Sequence, residues 1–430
     1  MVLIVTKPSM VYNDSNKRLK MTSSSYREEL LNFLHELKII LSSKRDLGLL
    51  MVLFLMEFTR GAFFLTFLPL YAVNYLSISV AAAGLAVSAH YLFETLFKST
   101  AGWELDRRGL WVIHLGLLLG LLALFIIKLQ PTTSVLIAGS AFFGLAVSPV
   151  WLAVISNVAP VQSSDRAARV GVVFAVWLAG GGGGPVAINF FIVNDYGLAF
   201  WFLIGLWILA ILIAAVTLRG PGGITTGGAG FSFNKEIIKL AQNQAVKKIL
   251  LPGMFLQTLS GGLLLPLLPI YAQNELGLNP NQYAFLLLSA GSAAAITFLP
   301  MGRLADRVRL KTLLGSGFAM TALSLALFSA ARGMVSVFLF AAMLGFSYAI
   351  VLPAWNNLLA KVISPDRQAT GWGVFATIEG AGIAIGPALG GLIARSFGIS
   401  AAIMLTIILL ASMACFYFAY PVEKLFARTS

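Results

Sequence analysis

Charge, cysteine and histidine are all scarce in this chain. Its 430 residues include one cysteine, three histidines and 11% charged residues. A lone Cys415 excludes an intrachain disulfide and any cysteine-built metal site. His35, His90 and His114 are too scattered to ligate a metal together, and no nucleophile and base stand at a catalytic spacing. The glycine run Gly180 to Gly184 leads into Pro185, without the Gly-Lys-Ser/Thr that makes a phosphate loop, so close helix packing is expected of it. Neither an enzyme nor a cofactor or metal is therefore expected. A charged fraction of 11% beside 58% hydrophobic residues and a mean hydropathy of +0.87 excludes an ordinary soluble domain, where charge is nearer a quarter of the residues. The net charge of +13 is not read as a nucleic-acid footprint, because its distribution along the chain follows a membrane topology.

What the chain has instead is apolar runs long enough to cross about 30 Å of hydrocarbon at 1.5 Å per residue. They fall near 48–73, 79–101, 110–128, 134–157, 169–193 and 197–218, then near 249–273, 283–304, 311–331, 333–360, 370–394 and 399–420. An all-α polytopic membrane protein with 12 transmembrane helices in two six-helix halves is expected, the halves being 48–218 and 249–420. Lys and Arg crowd the segment before the first span, the second, fourth, eighth and tenth connections, the central linker 219–248 and the tail 421–430. Lys128, Arg332 and Arg395 are the exceptions in the alternate connections. The bias places both termini and the linker in the cytoplasm of a multi-pass plasma-membrane protein. Within the polar segment 1–47, Ser25 and Glu28 form a capping box before Leu30, Phe33, Leu34, Leu37, Ile40 and Leu41, the pattern of a helix lying on the inner membrane surface.

The second half repeats the first. Phe67-Leu68-Pro69-Leu70-Tyr71-Ala72 recurs as Leu267-Leu268-Pro269-Ile270-Tyr271-Ala272, and Pro149-Val150-Trp151 answers Pro353-Ala354-Trp355. The copies differ in charge: Glu57 faces Gln257, Arg60 faces Ser260, His90 faces Ala290 and Glu94 faces Ala294. Glu57 lies about 15 Å into its span, where a charge costs at least ~2.5–3.5 kcal/mol and so should face a cavity with a partner. Arg60 is one turn on, and His90, Glu94 and Lys98 form a ladder at i, i+4, i+8. This pattern fits proton handling by Glu57, Arg60, Glu94 and His90. One polar and one oily wall suit a cavity that moves an amphiphile. Trp151, Trp177 and Trp355 with Asn356 add flat rings and amides for a sugar or a cation. Gln257, in the place of Glu57, is expected in the binding surface from the other half.

The duplicated connection Gly102-Trp103-Glu104-Leu105-Asp106-Arg107 and Gly302-Arg303-Leu304-Ala305-Asp306-Arg307 resembles the loop signature of the major facilitator superfamily. In that superfamily two parallel repeats rock around a midplane site. An Asp beside Arg at a cytoplasmic helix end can hold one conformation shut, so Gly102, Asp106, Arg107, Gly302, Asp306 and Arg307 are read as gating loops. Leu55-Met56-Glu57-Phe58-Thr59-Arg60-Gly61, Gly144-Leu145-Ala146-Val147-Ser148-Pro149-Val150-Trp151, Leu352-Pro353-Ala354-Trp355-Asn356 and Trp372-Gly373-Val374-Phe375 together resemble the lipoteichoic-acid glycolipid flippases of Gram-positive bacteria. The likeness implies a proton-gradient-driven antiporter that flips diglucosyl-diacylglycerol from the inner to the outer leaflet. Its partners are then the glycolipid, protons and the bilayer, with the enzymes of glycolipid and lipoteichoic acid synthesis around it. It implies that Glu57, Arg60, Glu94, Trp151 and Trp177 form the headgroup pocket. Glu94 stands where the family carries Asp, and Glu379 where it carries Gln. A proton-coupled drug efflux pump is the alternative within transport, and a sensor or scaffold on a transporter fold the alternative outside it.

Overall fold

The computed structural model describes residues 43–160, 166–218, 250–305, 307–360 and 368–420. The expected surface helix before the first span, the linker, the tail and Asp306 lie outside them. The first half runs α1 (Lys44–Tyr75), α2 (Val80–Arg108), α3 (Trp111–Leu129), α4 (Thr133–Val158), α5 (Arg166–Ile192) and α6 (Tyr196–Thr217). The second runs α7 (Leu251–Asn274), α8 (Pro280–Ala305), α9 (Leu310–Ala330), α10 (Met334–Ala360), α11 (Gln368–Phe397) and α12 (Ile399–Ala419). Eleven helices among the described residues are long and apolar enough to cross a membrane, and α8 holds the remaining place between α7 and α9.

Polar caps set where several of these helices begin. Ser43 accepts the Asp46 N–H at 3.2 Å, Ser79 the Ala82 N–H at 3.3 Å and Asp195 the Leu198 N–H at 2.8 Å. Each supplies an acceptor to a first-turn N–H that has none within the helix. At the other end of α4, Arg166 and Arg169 donate to the Ala159 and Val158 carbonyls at 3.4 and 3.3 Å, and Arg45 reaches Asn157 at 2.7 Å. Cations on a helix C-terminus satisfy its spare carbonyls and its dipole together.

The core of the first half is aromatic. Phe63, Phe64 and Phe67 of α1, Phe143 of α4 and Phe200 and Trp207 of α6 are all buried. Phe143 and Trp207 have ring centroids 4.7 Å apart, and the Trp207 indole N–H donates to the Leu117 carbonyl of α3 at 2.7 Å. Trp207 is thus a packing residue with its one donor satisfied. In the second half Tyr417 of α12 stacks on Phe318 of α9 at 5.7 Å and meets Trp355 of α10 edge-on at 6.1 Å.

The halves meet along α2 with α11 and α5 with α8. A Cβ on Gly84 would overlap the Pro387 carbonyl oxygen, and the Ser88 hydroxyl accepts the Ala388 N–H across the junction at 2.7 Å. At the end carrying the α1–α2 and α7–α8 turns, Asn74 donates to Gln273 at 3.0 Å and accepts from Asn274 at 3.2 Å. The two halves are therefore fastened at the end opposite the start of α1 and the end of α12.

Close-packed glycines give the true register of the repeat. A Cβ on Gly180 would meet the Phe54 carbonyl oxygen at 2.7 Å and Glu57 Cβ at 3.1 Å; a Cβ on Gly382 would meet the Phe255 carbonyl oxygen at 2.7 Å and Thr258 Oγ1. The structural counterpart of Glu57 is therefore Thr258, not the Gln257 expected from the sequence repeat, and that of Arg60 is Gly261. The reason is a π-helical turn at Phe63–Phe67, closed by the Leu68 N–H on the Phe63 carbonyl, which inserts one residue into α1. At the matching place α7 tightens instead, the Leu265 N–H reaching Gly262 at 3.2 Å. Past that point Tyr71 and Tyr271 accept from Leu76 and Leu276 in the same way, so the offset of 200 seen in the sequence holds only there.

Candidate functional site

Backbone contacts without intervening side chains position the charged residues. Gly180 and Gly184 of α5 sit against the Phe54 and Phe58 carbonyls of α1, and Gly144 of α4 sits against the His90 carbonyl of α2. Small residues four apart let membrane helices approach to backbone contact. The helices carrying Glu57, Arg60 and Glu94 are each held by a glycine of a neighbour.

Between them the side chains form one chain of ion pairs. Arg60 donates through Nη2 and Nε to Glu57 Oε2 at 2.6 and 3.0 Å, and through Nη1 to Glu94 Oε2 at 3.0 Å. Lys98 Nζ donates to Glu94 Oε1 at 3.1 Å. The Glu57, Arg60 and Glu94 side chains keep only 5, 13 and 15% of their surface exposed, which makes these desolvated pairs rather than screened surface ones. Two acids and two bases cancel, so the network is neutral as a whole while each carboxylate depends on a particular cation. Arg60 is the shared element linking α1 to α2, and its forked guanidinium can do this where a point charge cannot.

His90 behaves differently from the rest of its ladder. It is fully buried and stacked on Phe64 at 3.9 Å, with its Nε2 at 3.8 Å from Glu94 Oε2 and neither ring nitrogen hydrogen-bonded. The ring belongs to the aromatic core, with one edge touching the acid. Two residues the sequence reading passed over complete the surroundings. Tyr91 lies beneath the Arg60 guanidinium, 5.8 Å from ring centroid to Cζ, and Phe174 packs edge-on to Trp151 at 5.0 Å and Trp177 at 6.3 Å. Their signal was helical spacing: each stands three residues before a residue already singled out, Glu94 or Trp177.

Trp151 and Trp177 come together, their centroids 6.1 Å apart. Trp177 is one turn before Gly181, whose Cβ would lie 3.8 Å from Glu57 Oε2, so the aromatic group sits one turn from the acid on the same helix face. Replacement by Ala at Trp151 or Trp177 is expected to lower transport several-fold at near-normal thermal stability, a ring contact being worth ~0.5–1.5 kcal/mol. Trp207→Ala should instead cost ~3–5 kcal/mol of stability. Purified variants compared by thermal melt and transport rate distinguish the two; equal destabilisation at all three positions would show that the rings only pack.

The second-half residues are less concentrated. Gln257 is half-buried with its Oε1 unpartnered, and Asn356 is half-buried on α10. Trp355 is 1% exposed, enclosed by Tyr417 and the start of α7, where a Cβ on Gly253 would come within 2.7 Å of its ring. It is not the counterpart of Trp151. Gly144 against His90 matches Gly345 against Ala290, so Trp151 lies seven residues past its glycine and Trp355 ten past its own. One extra helical turn carries Trp355 into the packing.

Of the loop residues, Gly102 lies inside α2, where an added Cβ would stand 3.4 Å from Leu152 of α4, and Asp106 and Arg107 are exposed in its last turn. Arg107 lies over Trp103 at 5.3 Å and Arg108 pairs with Glu104 at 2.6 Å, so both turn back on their own helix. Gly302 lies within α8, Arg307 is exposed after it, and the Asn357 amide of α10 donates to the Ala305 carbonyl at 3.1 Å.

The family description Major Facilitator Superfamily matches residues 49–240 and 250–429. A proton-coupled antiporter flippase LtaA of Staphylococcus saprophyticus is 33% identical over 364 residues, covering 82% of this chain and 88% of the relative. The protein of the same name in Staphylococcus haemolyticus is 31% identical over 397 residues, covering 89% and 95%. Among solved structures, a bacterial homologue of the human lysosomal transporter Spinster, in an inward-facing and occupied conformation, superposes with a TM-score of 0.74 at 16% identity, over 89% of this chain and 97% of that one. The nucleoside transporter NupG superposes with a TM-score of 0.69 at 15% identity, over 89% and 98%.

Proposed function

Because this chain belongs to the major facilitator superfamily and, within it, to the proton-coupled antiporter flippases, we propose that it carries a glycolipid anchor, diglucosyl-diacylglycerol, from the inner to the outer leaflet in exchange for protons, supplying lipoteichoic acid synthesis. The observation that carries the reading is Arg60 bridging Glu57 of α1 and Glu94 of α2 inside the membrane span, with Thr258, Gly261 and Ala294 in the matching places of the other half.

A disaccharide headgroup taken through hydrocarbon loses hydrogen bonds costing several kcal/mol each, so it needs a substitute for water along its path. The first half offers carboxylates, a guanidinium and the Trp151–Trp177 pair for the head, and the second half offers Leu and Ala surfaces for acyl chains. Protonation of Glu57 or Glu94 removes one charge that holds Arg60, freeing guanidinium donors for sugar hydroxyls. A difference in protonation between the two facing states is what lets a proton gradient bias the cycle. With both termini in the cytoplasm, the Asn74–Asn274 fastening closes the outer end, and this conformation is the one that loads from the inner leaflet. The Asp106 and Arg107 turn, exposed here, then closes the inner end in the opposite state.

Reconstitution into proteoliposomes with fluorescent glycolipid tests this. Leaflet exchange should rise several-fold when a pH gradient is imposed, and intact glycolipid should compete strongly where the free disaccharide competes weakly. Strong competition by cationic drugs with none by glycolipid would favour the efflux reading.

A further inference from the structure

Glu379 of α11 is an acid that the ion-pair network leaves out. Glu57 and Glu94 are each held by Arg60 or Lys98, whereas no Lys, Arg or His among the described residues lies within ion-pair distance of Glu379. Its place is equivalent to a site residue of the other half. Gly180 and Gly184-Pro185 of α5 correspond to Gly382 and Gly386-Pro387 of α11 in their contacts with α1 and α7, so Glu379 occupies in the second half the position Trp177 occupies in the first.

The surroundings are built for a carboxyl rather than a carboxylate with a counterion. The Trp355 indole nitrogen is buried and makes no hydrogen bond of good geometry, and the Glu379 carboxyl is its polar neighbour. Tyr348, also on α10, lies near the same carboxyl. From α2 the adjoining residue is Thr95, whose Oγ1 would be 2.8 Å from a Cβ on Gly380, and the flanking Glu94 and Lys98 are already paired with each other. α7 contributes Thr258, which lies against Gly382 one turn further along α11, and α12 contributes Tyr417 behind Trp355. None of these is a free cation. A carboxyl within a membrane span that has no cation is tolerated as the neutral acid, or where it exchanges a proton with water in a cavity. Ionised, it can accept the waiting Trp355 N–H.

We propose that Glu379 is a second proton-carrying carboxyl, placed in the half that lacks the Glu57–Arg60–Glu94 network, and that its proton moves in each transport cycle with the one handled by the first half. The proposal rests on the proton-coupled reading above and deepens it. The step is proton exchange alone: the carboxylate takes a proton from water on the proton-rich side and returns it to water on the other, and only an O–H bond forms and breaks.

Two measurements test it. In proteoliposomes carrying a pH-sensitive dye and fluorescent glycolipid, E379Q should move about half as many protons per lipid as the parent chain, one carrier of two being lost. Purified in detergent and titrated over roughly pH 5 to 8, E379Q should bind about one proton fewer. E379D keeps a carboxyl and should restore both values, so a glutamine-like E379D counts against the proposal. An unchanged proton count in E379Q overturns it. If E379Q moves no lipid, the titration decides: a lost proton supports the role and an unchanged count defeats it. If the parent chain shows no gradient-driven lipid movement, the transport reading fails on its own while the titration still decides whether Glu379 exchanges a proton. Binding of a quaternary ammonium amphiphile that is lost in E379Q, with proton binding unchanged, would reassign the site to organic cations and overturn the proposal.

Discussion

Glu57→Gln is expected to reduce gradient-driven lipid movement to about a tenth or less of the parent rate while leaving the protein folded. Glutamine keeps the volume of the side chain and one oxygen that can accept from Arg60, so the α1–α5 packing around Gly180 is undisturbed. It cannot gain or lose a proton, and it exchanges an ion pair at 2.6 Å for a hydrogen bond from the guanidinium to an uncharged amide oxygen, a loss of about 1–2 kcal/mol or roughly tenfold in an equilibrium. Arg60 still has Glu94 at 3.0 Å, so no charge is left without a partner and the fold survives. Arg60→Ala differs, because it strands the buried Glu57 carboxylate and leaves Glu94 with Lys98 alone, at a cost of ~3–5 kcal/mol, and should lower stability as well as transport. Arg60→Lys should not restore transport, since an ammonium cannot present forked donors to two carboxylates. Initial rates in proteoliposomes, set beside thermal melts of the same preparations, separate these effects. A Glu57→Gln variant with an unchanged gradient-driven rate would remove Glu57 from the coupling.

Much of this was legible in the sequence because membrane insertion is governed by length and polarity, and both are local. The spans follow from apolar runs, and Glu57, Arg60 and Glu94 stood out because a charge so deep needs a partner. The pairing itself, Arg60 reaching from α1 to Glu94 on α2, is a tertiary fact to which spacing within either helix is blind. The repeat was legible in outline and misread in register. Its most similar strings lie around Pro69 and Pro269, past the π-turn, and carrying their offset back across an inserted residue set Glu57 against Gln257 where the helix contacts set it against Thr258. Trp355 was misplaced for a related reason. A Pro-x-Trp string is a local likeness, whereas the close approach of Gly345 to Ala290 fixes where the helix lies, one turn away from the Trp151 position. Glu379 was visible as an acid in an apolar span, but its equivalence to Trp177 required knowing which glycines touch.

The same glycines give the second large effect expected. Gly184→Ala should sharply lower the folded yield and melting temperature and abolish transport, while Gly182→Ala, two residues away in the same run, should change stability by no more than about 0.5 kcal/mol. A Cβ on Gly184 would overlap the Phe58 carbonyl oxygen and stand 2.9 Å from the Ala62 nitrogen; a Cβ on Gly182 would meet nothing within 4 Å. The opposing atoms at Gly184 are backbone within a helix, so neither a rotamer change nor a small shift relieves the clash, and α1 must move away from α5. Overpacking of this kind costs typically ~1–3 kcal/mol. Displacement of α1 also carries Glu57 and Arg60 away from Glu94, whose own helix is held in place by Gly144 of α4. The variant should therefore lose transport beyond its loss of folded protein, because the 3.0 Å contact between Arg60 and Glu94 cannot survive an added methyl width. Transport rate normalised to folded protein provides the measurement. A Gly184→Ala variant with parental stability, or one whose transport falls only in proportion to folded protein, would show that helix spacing at this point does not set the geometry of the ion-pair network.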